Sequence, residues 1–228
     1  MLTVHGAGKP VVVAFLVAGC LSILACEEPI TPPPADPPID SAEAVIEALA
    51  RAYRTRDFEL YRSLLAHEPS ANADFVFTLG DPTELGETSW GYDEEVRIHD
   101  RMFRPETAAP PLPNEYWLQG LAADLVQVAG FSENTDLYSA NGGLDGKLDP
   151  ERWRALQSLY TTELFLDLNG NTDYKAIGEA VFIVIEDRTK PAGERIHWLL
   201  SWKDFACGAV PGVLSECAAW SQLKCLFR

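Results

Sequence analysis

Positive charge is scarce in this 228-residue chain, which carries 18 Lys and Arg against 34 Asp and Glu. Lys9 is the only charged residue before Cys26, so the remainder holds 17 basic residues against 34 acidic ones. Such a surface repels phosphate backbones, which argues against nucleic acid as a partner and leaves no basic patch for peripheral membrane binding. The chain also lacks an apolar run long enough for a bilayer span of about 20 residues. The uncharged run from Val11 to Ala25 is 15 residues. Beyond Cys26 there is no H-E-x-x-H, no G-x-S-x-G and no glycine-rich dinucleotide loop. The cysteines form no C-x-x-C pair, which gives zinc little support. No metal, cofactor or catalytic class is indicated by motif.

The amino terminus reads as a targeting segment. Lys9 closes a short basic region, and Val11 to Ala25 suits the apolar core of a signal peptide. It ends Ile23-Leu24-Ala25-Cys26, which resembles the box read by the lipoprotein signal peptidase. That resemblance implies that the Cys26 thiol receives a diacylglycerol and becomes the first residue of the mature chain. Val17-Ala18-Gly19-Cys20 fits the same pattern, but cleavage there would leave Leu21 to Ala25 as an apolar stub. A plain secretory leader is the simpler alternative. The expected location is therefore extracytoplasmic, in the cell envelope, with a palmitate-bearing membrane anchor and the outer membrane as the site in a Gram-negative cell. Gly6-Ala7-Gly8-Lys9 lies in the leader and lacks the full phosphate-loop spacing.

Three segments follow: a signal peptide over 1–25, a lipidated Pro-rich linker over 26–40 and a folded domain over 41–228. Six of the 16 prolines fall between Pro29 and Pro38. They impose an extended spacer that reaches about 40 Å at ~3.1 Å per residue. In the domain, Asp40 and Glu43 have the spacing of a capping box. Val45, Leu49 and Tyr53 then recur at i, i+4 and i+8, with Ile46 beside them. Asp57 is placed to cap a second helix that turns Phe58, Tyr61, Leu64 and Leu65 inward. Phe75-Val76-Phe77 marks a strand. A third helix follows Trp90-Gly91, with Asp93, Glu94 and Glu95 in the first turn, where the helix dipole favours negative charge. Tyr92, Val96, His99 and Phe103 are expected on its apolar side.

From Tyr116 onward the period becomes strand-like. Tyr116–Phe131, Gln157–Leu168, Ile177–Ile185 and Arg195–Asp204 read as strands. Asn169-Gly170 signals a hairpin. Leu164, Leu166 and Leu168 are expected to face the helices, as are Trp198, Leu200 and Trp202. Trp220, Leu223 and Phe227 suggest a closing amphipathic turn. The predicted class is α+β, with three N-terminal helices packed on a curved, mainly antiparallel sheet.

The runs Ala44-Val-Ile-Glu-Ala-Leu-Ala-Arg-Ala-Tyr53, Arg56-Asp57, Tyr61, Leu64-Leu65 and Phe75-Val-Phe77 resemble the opening of nuclear transport factor 2-like (SnoaL-like) domains. Ser89-Trp90, Trp202-Lys-Asp-Phe205 and Trp220 resemble the form carried by bacterial lipoproteins. The likeness covers about residues 41–228 and implies a cone, a sheet wrapped around helices with a cavity at its open end. It carries over no catalytic residue, and fold alone leaves activity open.

His99 is the weak candidate for a general base, as a neutral imidazole among apolar neighbours. The bland alternative is a core histidine satisfied by a backbone carbonyl. His197 is expected to point away from Trp198, toward the outer face, and His67 to complement a helix end. Asp167-x-Asn169-x-Asn171-x-Asp173 mimics the start of a calcium loop. However, Thr172 replaces the expected glycine and Gly178 the expected glutamate, and a tight hairpin explains the same residues. Of Cys207, Cys217 and Cys225, an oxidising compartment favours a Cys207–Cys217 bridge across Gly208, Pro211 and Gly212, worth about 2–3 kcal/mol. The favoured expectation is a non-catalytic membrane-tethered module binding a small apolar ligand or an envelope partner. The alternative is an isomerase- or cyclase-like enzyme acting on a hydrophobic substrate.

Overall fold

The computed structural model describes residues 37–68, 71, 73–79, 89–138, 148–169, 172–206, 224, 227 and 228. All of them lie in one compact unit, Pro37–Arg228. Cys20, Cys26, Cys207, Cys217, Cys225, Gly170, Trp220 and Leu223 fall outside the described residues.

Helix α1 (Ala42–Thr55) begins one residue later than the Asp40 capping box predicts. Ser41 is the cap, its hydroxyl oxygen accepting from the Ala44 N–H at 3.1 Å. The change follows from reach: an N-cap oxygen bonds the amide two or three residues on, and Ser41 stands at that distance from Ala44. Arg56 closes α1 in the left-handed conformation, φ 53°, and its guanidinium donates to the Leu118 carbonyl at 2.8 Å. Helix α2 (Phe58–Leu64) is capped by Asp57 as predicted, through the Leu60 N–H at 2.9 Å.

Strands β1 (Val76–Leu79) and β2 (Ser89–Gly91) precede helix α3 (Tyr92–Phe103), so α3 enters from the sheet rather than from a helical block. The stripe that α3 buries is Glu95, Ile98, His99, Met102 and Phe103. Tyr92 and Val96, expected on that side, are only half-buried. Strands β3 (Leu118–Gln127), β4 (Ser132–Glu133), β5 (Trp153–Leu168), β6 (Thr172–Asp187) and β7 (His197–Ala206) complete the sheet. Its order is β2-β1-β7-β6-β5-β3, with β4 paired to the other end of β5. All pairs are antiparallel except β1 with β7, which is parallel. A β1–β7 pair joins residues far apart in sequence, as a parallel pair requires. The fold is α+β and cone-like, three helices on a curved and unclosed sheet.

The helix-facing core contains Val45, Leu49 and Tyr53 of α1 against Leu164, Leu166 and Leu168 of β5, all buried as the alternation predicts. In β7 the prediction fails for two residues. Val184 pairs with Leu199 and Ile183 with Ser201, so Leu200 is an extra residue, a β-bulge. A bulge shifts every residue beyond it to the opposite face. Trp202 therefore joins the helix-facing core. Trp198 and Leu200 pack on the opposite face with Trp153, Ile185, Leu137 and Ala66. By the same shift His197 lies on the helix side, 7% exposed, and not on the outer face as expected.

Candidate functional site

Among the described residues, aromatic and polar side chains pack closely around the Glu95 carboxylate in the interior of the cone. Glu95, in the first turn of α3, is fully buried. Its carboxylate accepts from the Tyr61 hydroxyl at 2.6 Å, the Trp90 indole at 2.5 Å and the Lys224 ammonium at 2.5 Å. Burial pushes its pKa up, but the Lys224 charge, with His99 and these hydrogen bonds, holds it below the usual carboxylate range. Lys224 is also fully buried, and its ammonium sits 3.8 Å from the centre of the Phe77 ring and 4.2 Å from that of Trp202. A buried ion pair recovers its desolvation cost only when the remaining valences are filled, and here donors and ring faces fill them.

His99 belongs to the same cluster. Its ring stacks on Tyr61 with centroids 3.8 Å apart. Nδ1 faces the Glu95 carbonyl at 3.0 Å, and Nε2 bonds the Tyr53 hydroxyl. A carbonyl can only accept, so Nδ1 carries the proton and Nε2 accepts from Tyr53. Burial disfavours the cation, and the histidine pKa falls to about 3. An imidazole with both nitrogens engaged and no exposure has no lone pair to offer a substrate proton. The candidate base is thus a core histidine satisfied by a backbone carbonyl, the alternative already recognised in the sequence.

Sequence reasoning read Glu95 as a dipole-complementing residue and missed its burial. The signal was available: Glu95 stands four residues before His99 and eight before Phe103, on the same helical face. His67 likewise departs from its expected role. Instead of complementing a helix end, it pairs with Asp74 at 2.9 Å and stacks on Tyr92 at 3.9 Å. The calcium-like segment joins β5 to β6, with Asp167 opposite Asp173 in register, and its Gly170 and Asn171 lie outside the described residues. Among the described residues no cluster of three or more His, Cys, Asp or Glu is arranged to hold a metal. Cys26, Cys207 and Cys217 lie outside the described residues.

Open space lies elsewhere. A groove of about 760 Å³ runs between the outer side of α1 and strands β3 and β5. On α1, Glu43, Glu47, Arg51 and Arg54 recur at helical spacing, with Ile46 and Ala50 beside them. Ala123, Leu125, Tyr160 and Thr162 line the strand side. Tyr160 is 5% exposed, and burial together with the Glu43 and Glu47 carboxylates raises its phenol to about 12. None of the residues lining this groove is histidine or cysteine. A smaller groove of about 350 Å³ contains His197 with Glu186, Arg154 and Arg195. There Glu186 is already paired to both arginines.

Neither the known protein-family models nor the curated proteins contain a match to this sequence. Solved structures of similar shape include a conserved protein from Planctomyces limnophilus, with TM-score 0.44 and 10% identity over 71% of this chain and 89% of that one. A protein of the NTF2-like family from Streptomyces avermitilis is similar at TM-score 0.41 and 11% identity, over 72% and 92% of the two chains. The beta subunit of benzoate 1,2-dioxygenase from Burkholderia mallei is similar at TM-score 0.39 and 12% identity, over 71% and 85%. The family that the sequence resembles is thus represented among these neighbours. At TM-scores this low the likenesses carry no argument about chemistry, and the cone description rests on the chain's own strand order and packing.

Proposed function

We propose that the chain is a lipoprotein anchored through Cys26 in the cell envelope, and that its domain is a non-catalytic module binding a small ligand in the groove between α1 and β3–β5. The observation that carries the second half is the full enclosure of Glu95 and His99. Every polar atom that Glu95 and His99 could offer a substrate is bonded to Tyr53, Tyr61, Trp90, Lys224 or backbone. An isomerase- or cyclase-like mechanism needs a titratable group facing an open apolar cavity. His99 faces aromatic rings instead. The groove on α1 has the size of a small-molecule site and mixed polar and apolar walls. No helix among the described residues is long and apolar enough to cross a membrane, and the first half of the proposal rests on the Ile23–Cys26 sequence alone.

Two measurements test the reading. Labelled palmitate should enter the wild-type chain and not Cys26→Ser; incorporation into the variant would move the anchor to Cys20 or another site. Native mass spectrometry of the purified full chain should reveal a co-purifying small molecule that Ala50→Trp, which fills the groove, releases. Retention by Ala50→Trp would overturn the groove as the binding site.

A further inference from the structure

The ligand class can be read from one end of the groove, and the inference rests on the groove being the binding site. Glu43 and Glu47 stand one turn apart on α1, exposed at the groove wall. Neither forms a hydrogen bond or ion pair with any other described residue. Exposed acids on a helix are ordinarily a solvated face, and Glu43 also suits the first turn of α1. Tyr160 makes this end different. It projects from the helix-facing side of β5, its ring packed against Phe182 at 5.3 Å and Phe131 at 6.3 Å. The residue is more than nine-tenths buried, its hydroxyl bonds no described residue, and that oxygen keeps an opening to solvent. Tyr160 lines the groove together with Glu43 and Glu47, and the opening of its hydroxyl lies there.

Two carboxylates and one phenol oxygen form an acceptor set that suits a group with several N–H donors. An ammonium supplies three donors and the complementary charge. A carboxylate or phosphate would meet two like charges at that end. A purely apolar ligand would leave the Tyr160 hydroxyl unpaired and strip water from both acids for no return. Arg51 and Arg54 line the groove further along α1. At ~1.5 Å per residue the acidic and basic pairs are centred about 11 Å apart, so a cation has one favoured orientation. Ile46, Ala50 and Leu125 lie between and beside them as apolar wall. The chain's net charge of −16 raises the local concentration of any cation.

We propose that the groove binds an amphipathic organic amine, with its ammonium held by Glu43, Glu47 and the Tyr160 hydroxyl and its apolar body laid along Ile46, Ala50 and Leu125. The test uses three probes of one shape and different charge, phenylbutylamine, phenylbutanol and phenylbutyrate, titrated into the full chain and followed by calorimetry. The amine should bind at least about tenfold more tightly than the alcohol, and the acid weakest, a tenfold ratio being the scale of one charge-assisted hydrogen bond. Glu43→Gln with Glu47→Gln should remove that preference, and Tyr160→Phe should reduce it, while far-ultraviolet dichroism stays unchanged. If the alcohol binds as tightly as the amine, the groove is a ligand site but the amine assignment is wrong. If none of the three binds, or Ala50→Trp leaves amine binding intact, the groove reading falls and the amine assignment with it.

Discussion

Replacing Glu95 by glutamine removes one charge and very little volume, and the structure allows its cost to be worked out. The carboxylate receives three donors: Tyr61, Trp90 and Lys224. A glutamine amide keeps one acceptor oxygen and turns an NH₂ toward a donor, so at least one of the three bonds becomes a clash. More important, Lys224 is fully buried and loses the carboxylate that stands 2.5 Å from its ammonium. Breaking a buried pair by removing one partner costs about 3–5 kcal/mol. The rings of Phe77 and Trp202, 3.8 and 4.2 Å from the ammonium, offset ~1–2 kcal/mol of that. The expected loss for Glu95→Gln is therefore about 3 kcal/mol, read as a lower urea midpoint at constant slope.

The double variant Glu95→Gln with Lys224→Met separates pair loss from simple disruption. Methionine leaves no charge to strand and sets a thioether against the same rings. It should recover about 2 kcal/mol relative to Glu95→Gln alone, a coupling expected of residues in direct contact. A single variant within about 1 kcal/mol of wild type would refute the reasoning, because no charge would then have been stranded. So would a double variant as unstable as the sum of its parts, since uncoupled sites add.

The buried histidine makes stability depend on pH. His99 is neutral in the fold, with a pKa near 3 against 6.5 when exposed, so the unfolded chain binds the proton first. Its contribution is complete above 6.5 and is lost as pH falls toward 3, at about 1.4 kcal/mol per pH unit; Glu95, also depressed, adds its own loss below 4.5. His99→Phe should flatten the decline between pH 6.5 and 4.5 in urea midpoints, and an unchanged slope would refute the assignment. The β7 bulge predicts unequal tryptophans: Trp202→Ala should cost roughly 3–5 kcal/mol and Trp198→Ala, half-buried in the smaller cluster, about 1–2 kcal/mol. Equal losses would mean that both rings share one core.

What the sequence made legible followed its local periods. The i, i+4, i+8 stripe of α1 and the alternating leucines of β5 each fix a face without knowledge of the partner, and both faces are buried as read. The Leu200 bulge was hidden because alternation assumes one residue per pairing step. A clue existed in Trp198-Leu199-Leu200: three successive large apolar residues need cover on both sides of a sheet, and the structure supplies it with two separate clusters. Glu95 was misread because its position satisfies two rules at once. An acid in a first turn suits the dipole, while its place on the stripe of His99 and Phe103 demands a buried partner. That partner, Lys224, lies 129 residues away, and no local period reports such a distance.

The groove was illegible for the same reason, and its relation to the enclosed Glu95 and His99 bears on what the domain can do. Glu43 and Glu47 come from α1, Tyr160 from β5, and only the packing of that helix on that strand brings them together. The packing is fixed from inside: Tyr53, on the buried face of α1, is bonded to His99 of α3, and Leu49 and Val45 meet the sheet. One rigid helix thus carries a satisfied polar contact on its inner face and, on its outer one, carboxylates that pair with no described residue. Glu95 and His99 bind together α1, α2, α3, β2 and Lys224. A buried network with every member satisfied resists rearrangement, which is why the proposed ligand site is placed on the outer face. There the acceptors Glu43, Glu47 and Tyr160 stand on fixed elements, and a guest that matches them meets little reorganisation cost.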